Sequence, residues 1–331
     1  VSNVVAVTGA EGFIGSHLVE RLVAHGHRVK AMVLYNSFAS YGWLDSLPAE
    51  VMANVDIVMG DVRDQASARE LVEGAEAVYH LAALIAIPYS YRAPRSYVDT
   101  NVIGTLNILD AVRAEGTPRL VHTSTSETYG TALTVPIAET HPLQGQSPYA
   151  ASKIGADKMV ESYHLSFDVP AVTLRPFNTF GPRQSARAVI PTVISQLAAG
   201  HKEIKLGALD PTRDFLYVKD TAAAFHALGT APASAVVGEL FNAATGEEVS
   251  VGQVAHDIAR LMGSDAEITA DAQRIRPKNS EVMRLIGDAT KLRERTGWAP
   301  AFTRDQGLAE AIEWFREPAN LAHYKPGTYT Q

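Results

Sequence analysis

The sequence predicts an α/β fold built on a doubly wound parallel sheet, with a smaller C-terminal lobe closing over one edge of it. Three observations carry this reading. Through the first half of the 331 residues, short runs rich in Val, Ile and Ala alternate with longer amphipathic stretches. A glycine-rich turn follows the first of those runs directly. After about Pro176 the alternation gives way to irregular segments and then to helical periodicity.

The apolar runs are VVAVTG from Val4, HRVKAMVL from His27, VDIVMGD from Val55, AVYHLAA from Ala77, LVHTS from Leu120 and AVTLRPF from Ala171. Near-continuous apolar runs suit strands covered by helices on both faces, and SHLVERLVAHG and ASARELVEG supply helical segments between them. Beyond Pro176 come GPRQSARAVIP, a helix at TVISQLAAG, and LGALDPTRDFLYVKD. A helix-rich tail follows, with VGQVAHDIARLMG, ATKLRERTG and GLAEAIEWFR. The expected division is a dinucleotide-binding unit over 1–176, with a return contribution from about 214–245, and a substrate-binding lobe over 177–331. No internal repeat or long linker separates them.

Composition removes several classes of function. A net charge of -7 argues against broad binding to a phosphate backbone, so no nucleic-acid partner is expected. With no cysteine there is no disulfide framework, thiolate metal site or cysteine nucleophile. The 11 histidines form no ligand pattern with an adjacent acid, and no metal is expected. The first strand begins at Asn3 or Val4, leaving no room for a leader, and no apolar run is long enough to span a bilayer. A cytoplasmic protein with no membrane partner is the expectation.

The turn GAEGFIG places Gly9, Gly12 and Gly15 between the first strand and a helix. Glycine allows the tight turn, lets backbone approach a pyrophosphate, and lets the helix pack on the strand. The helix start then offers unpaired N–H groups to the phosphates, so a dinucleotide cofactor of the Rossmann type is expected. An acid for the adenosine ribose belongs at the end of the second strand. That end reads VLYNS, with Tyr35 in place of an aspartate and with Asn36 and Ser37 able to bond a ribose hydroxyl or a 2'-phosphate. NAD and NADP therefore stay open. Asp61, after the third strand, is placed to meet the adenine amino group.

Tyr149 and Lys153 lie in SPYAASK, where Ser147 and Pro148 predict a helix start. Four residues apart, they share a helix face, and a nearby ammonium should lower the tyrosine's pKa toward the range a base needs. The remaining candidate is HTSTSETYG, which sets Glu127 among hydroxyl side chains just past a strand.

Taken together, GAEGFIG, TSTSE and YAASK resemble the extended short-chain dehydrogenase/reductase superfamily, within it the nucleotide-sugar epimerases and dehydratases. HLAA from His80, RPFNTFGPRQ from Arg175 and RDFLYVKD from Arg213 are similar to blocks of the same family, so the resemblance covers nearly the whole chain. It implies NAD or NADP held by Phe13, Ile14, Val62, Leu81, Ala82, Ala83 and Asn101 besides the residues above. It also implies a nucleotide-diphosphate sugar as substrate and a homodimer. Thr125, Ser126 and Glu127 match the Thr-Ser-Glu of the hexose 4,6-dehydratases, where 4-epimerases commonly have no glutamate.

The roles implied are Tyr149 as acceptor of the C4 hydroxyl proton, Lys153 as its support and a ribose ligand, Thr125 at O4, and Glu127 as the base at C5. Ser126 stands where many dTDP-glucose dehydratases have an aspartic acid, which leaves Glu127 to serve both proton steps. Pro88, Asn178, Val189, Arg213 and Arg276 are the implied substrate contacts, the arginines suited to a diphosphate.

AMVLYNSFASYGWLD, HLAALIAIPYSY and SARAVIP further resemble dehydratases of nucleotide-linked N-acetylglucosamine in legionaminic-acid pathways. That resemblance implies UDP- or GDP-N-acetylglucosamine. Alternatives are a UDP-glucuronate decarboxylase, a 4-epimerase, and a cofactor-sensing regulator without turnover.

Overall fold

The computed structural model describes residues 3–271, 274 and 277–326; Arg276 lies outside them. The six apolar runs form strands β1 (Val4–Thr8), β2 (Arg28–Val33), β3 (Val55–Met59), β4 (Ala77–His80), β5 (Leu120–Thr123) and β6 (Ala171–Pro176). A seventh strand, Leu240–Ala243, completes one sheet in the order 240–243, β6, β5, β4, β1, β2, β3. Every pairing in it is parallel. The chain runs outward from β1 to β3 and then returns to place β4 on the other side of β1. This reversal opens a crevice at the carboxyl ends of β1 and β4, the position where doubly wound sheets bind ligands.

Alternation along the strands sends side chains into two cores. Val5, Val7, Tyr79, Val121 and Leu174 pack on one face with Leu18 and Leu22 of the Phe13–Ala24 helix and Phe225 and Leu228 of the Val218–Thr230 helix. Ala6, Val58, Val78 and Leu120 pack on the other, against Leu71, Ile108, Val112 and Val160 from helices Gln65–Val72, Gly104–Glu115 and Pro148–Phe167. Burial on both faces accounts for the lack of polar alternation in the runs.

A third core unites Phe180, Ile194, Ile204, Phe215, Ile258, Leu308 and Phe315. Around it stand three small sheets. Asn178–Phe180 pairs in parallel with Phe215–Tyr217, and Glu203–Leu206 with Glu267–Ala270. Thr212–Arg213 lies between Val249–Ser250 and Arg284–Leu285. The irregular segment from Leu206 thus holds two very short strands and the start of a helix, too short to show a period.

The segment after Phe180 is fastened to the Phe13–Ala24 helix. Arg183 donates to Ser16 Oγ at 3.2 Å and to Glu20 at 2.6 Å, and His17 Nε2 meets the Pro182 carbonyl at 3.1 Å. Among the described residues, no helix is long and apolar enough to cross a membrane.

Candidate active site

The first turn has the shape a pyrophosphate needs. Gly9 has φ +64, and a Cβ there would meet Ala82 N at 2.9 Å; a Cβ on Gly15 would strike the Gly9 carbonyl and come within 2.9 Å of Ala10 Cα. Gly12 caps the Phe13–Ala24 helix without a side-chain acceptor, and no acid lies in its first turn. Its leading N–H groups are left for an anion, so these residues fit the diphosphate of a dinucleotide. Phe13 and Ile14 begin that helix.

Thr8 knits the crevice together. Its hydroxyl accepts from the N–H groups of Leu81 and Ala82, both at 3.0 Å, and lies 2.8 Å from His80 Nδ1. The expected Leu81 to Ala83 segment therefore starts at the lip of the crevice. Asn101 stands in a π-helical stretch, Val98–Ile103, and is buried. Its oxygen accepts from Leu84 N, and its amide donates to Leu84 O and Ser152 Oγ. It acts by tying the segment after Ala83 to the Pro148–Phe167 helix, because both amide hydrogens are already committed.

The adenosine end is more open. Tyr35 is 73% exposed and Ser37 is exposed. The side chain of Asn36 bonds Leu34 O, Ser40 O, Phe38 N and Ser40 N, so it shapes its own loop instead of facing a ribose. Asp61 is forked onto Arg63 at 2.5–3.0 Å, and that guanidinium holds its carboxyl below the usual range. Val62 is buried, and its carbonyl accepts from Asn107.

At the other end, Ser147 and Pro148 start the helix as expected: Ser147 Oγ accepts from Ala150 N at 3.1 Å. Tyr149 and Lys153 both point inward and are buried. After β5 a single 3-10 turn, Ser126–Tyr129, is capped by Thr125, whose hydroxyl accepts from Glu127 N at 3.2 Å. That turn lifts Glu127 toward the tyrosine while Ser126 stays buried. Glu127 is half-buried, and its carboxylate has no hydrogen bond or ion pair among the described residues.

The expectation that Lys153 lowers the tyrosine's pKa is not met. Burial drives the Tyr149 hydroxyl upward; a hydrogen bond with Thr125 opposes this and the negative charge of Glu127 adds to it. Lys153 Nζ instead donates to the Thr123 carbonyl at 2.6 Å. Burial brings the Lys153 ammonium down to about 8, against the opposing pull of Asp157.

Asp157 and its neighbours form a buried polar cluster next to Lys153 that the sequence reading missed. Its carboxylate accepts from Ser124 Oγ and Arg175 Nη2, both at 2.7 Å, and from His122 Nε2 at 3.2 Å. Burial alone would raise it, but the His122 hydrogen bond and the Arg175 charge hold it at about 2. Burial pushes His122 down to about 4, so the imidazole is neutral and gives its Nε2 proton to the carboxylate. The available signal was spacing: 149, 153 and 157 fall on one helical stripe.

Among expected substrate contacts, Pro88 sits half-buried beside Ile87, which packs with Tyr97 and Tyr149. Asn178 has a buried Oδ1 without a hydrogen-bond partner, and Val189 opens the Val189–Ala198 helix. Arg213 is buried and paired with Glu281 at 3.4 Å, with Nη1 on the Thr212 carbonyl. It is thus engaged within the lobe.

The pattern of the GDP-mannose 4,6 dehydratase family matches residues 6–311. The chain belongs to that family. These nucleotide-sugar dehydratases and epimerases of the extended short-chain dehydrogenase/reductase type include several close matches. The chain is 34% identical to a UDP-glucose 4-epimerase of Mycolicibacterium smegmatis, covering 94% of this chain and 97% of that one. It is 33% identical to a UDP-N-acetyl-alpha-D-glucosaminuronate decarboxylase of Bacillus cytotoxicus, covering 95% and 98%. It also superposes on a double mutant of DesIV, a dTDP-glucose 4,6-dehydratase of Streptomyces venezuelae solved with NAD, at TM-score 0.83 and 27% identity over 95% of this chain and 97% of that one.

Proposed function

We propose that this family member is an NAD-dependent nucleotide-sugar 4,6-dehydratase. The observation that carries the reading is Glu127: an unpartnered carboxylate near enough to the buried Tyr149 for its charge to raise that hydroxyl's pKa, on a turn capped by Thr125. An epimerase needs the tyrosine but no second base.

The Gly9 to Gly15 turn would hold NAD, which would supply a hydride acceptor for C4 of the hexose and a hydride donor for C6. Tyr149, in its phenolate form, would accept the O4 proton as the C4 hydride leaves, with Thr125 hydrogen-bonded at O4. The resulting 4-ketone acidifies the C5 proton, and Glu127 removes it. With Ser126 a poor acid, Glu127 gives a proton to the departing C6 hydroxyl, which leaves as water. With a hydride delivered to C6, a solvent proton would be added at C5 and Tyr149 would release the proton it took from O4, so each residue ends as it began. The balance is loss of one water and a 4-keto-6-deoxy sugar. Lys153, a cation at neutral pH with its pKa at about 8, lies one helical turn from Tyr149 and would offer its ammonium to the nicotinamide ribose.

The favoured substrate is UDP- or GDP-N-acetylglucosamine, supported by the VLYNS and IAIPYSY segments. Asn178, with its unpartnered oxygen, Pro88 and Val189 are the sugar and nucleotide contacts. A homodimer is part of this reading, and multi-angle light scattering checks it.

Incubation with these sugar nucleotides in deuterated water tests the function. Dehydration removes one water and inserts deuterium at C5. Release of carbon dioxide from a uronate substrate, or unlabelled epimer, would replace the reading with decarboxylation or epimerisation. Glu127→Gln should still reduce bound cofactor but release no water; normal turnover in that variant would remove Glu127 from the mechanism.

A further inference from the structure

The proposed NAD site lacks an acid at the end of β2, where Tyr35, Asn36 and Ser37 stand and Asn36 is occupied by its own loop. A carboxylate nevertheless reaches this strand end from the glycine-rich turn. Glu11 Oε1 accepts from the N–H of Leu34, the residue just past β2, at 3.1 Å. Its Oε2 is buried and has no hydrogen-bond partner. No cation pairs with it among the described residues, and residues 34–45 contain no Lys or Arg.

The position is fixed from behind. Trp43 N donates to the Glu11 carbonyl at 3.0 Å, and Gly42 lies so near that a Cβ on it would come within 2.7 Å of the same oxygen. Burial raises the Glu11 carboxyl pKa, as expected for an acid held with one oxygen unsatisfied. Buried acceptors are rarely left without a donor.

We propose that Glu11 is the acceptor for the 2'-hydroxyl of the adenosine ribose and selects NAD over NADP. This rests on the cofactor site proposed above. A hydroxyl gives its proton to Oε2 and completes the carboxylate's hydrogen bonding. A 2'-phosphate brings like charge to a buried acid, in a loop with no cation to receive it. The glycine-rich turn therefore binds both the diphosphate, through its backbone, and the ribose, through one side chain.

Calorimetric binding of NAD and NADP tests this, on protein whose resident dinucleotide has been exchanged out. The native chain should bind NAD about 100-fold more tightly, and Glu11→Gln, which keeps an acceptor for Leu34 N, should narrow the preference by about 10-fold. Equal binding by the native chain, or an unchanged preference in folded Glu11→Gln, overturns the proposal while leaving the cofactor site intact. Binding of neither dinucleotide overturns the site itself and the proposal with it. Should Glu11→Gln not fold, the native chain still decides: ADP-ribose should outcompete 2'-phospho-ADP-ribose by about 100-fold, and parity refutes selection by Glu11.

Discussion

The two ends of the crevice are built differently. Around Tyr149 the site is packed and hydrogen-bonded: Lys153 rests on Thr123, and Asp157 is held by His122, Ser124 and Arg175. At the end of β2, Tyr35 is 73% and Phe38 90% exposed, and the loop is held by the side chain of Asn36. Proton transfer needs a particular group at a particular distance, so its residues recur at fixed spacing on one helix. Holding a ribose needs only an acceptor in the right place, and any segment that passes can provide it.

The largest effect expected from breaking this contrast is at the packed end. Tyr149→Phe removes the proton acceptor and should lower turnover by about 10³-fold, with no reduction of bound cofactor in a single-turnover absorbance trace. Rapid cofactor reduction in that variant would count against the tyrosine.

Asp157→Asn should come next, since it leaves Arg175 buried without its counter-charge, at a cost of about 3–5 kcal/mol in denaturant unfolding. Asp157 also props up the Lys153 pKa, so the same variant should move the alkaline limb of the pH–rate profile below about 8. A stability loss with an unmoved limb would make Asp157 purely architectural.

A smaller effect separates burial from catalysis. Burial, aided by the Arg183 charge, pushes His17 down to about 3, and burial takes His122 to about 4, from 6.5. In acid the unfolded chain takes up these protons first, so stability is full above about 6.5 and falls as pH drops toward 4 and 3. Melting temperature should decline over that window, and His17→Gln should flatten the decline. An equally steep fall in the variant would place the acid sensitivity elsewhere.

The smallest change belongs to the open end. Tyr35→Asp adds the strand-end acid that the sequence lacks, yet on an exposed side chain it should alter NAD affinity by less than about 3-fold. A large gain would show that Glu11 does not already fill that role.

Much of this architecture is legible in the residues. The apolar runs become strands because both faces of the sheet are covered, and Gly9, Gly12 and Gly15 fall where a Cβ would collide or a helix begins. The Ser147–Pro148 start puts Tyr149 and Lys153 on the buried face. What escaped the reading depends on contacts distant in sequence. Glu11 looks like an ordinary turn residue until β2 brings Leu34 beside it. Asp157 shows its partners only once β5 and β6 lie side by side under the helix. The direction of the Tyr149 shift was misjudged because spacing reveals that a lysine is near but not that its ammonium turns to the Thr123 carbonyl.

Arg183 leaves the small lobe and ends on Ser16 and Glu20, in the helix whose first turn faces the diphosphate. Removing that one guanidinium, as in Arg183→Ala, should therefore loosen the segment after Phe180 and the first helix together.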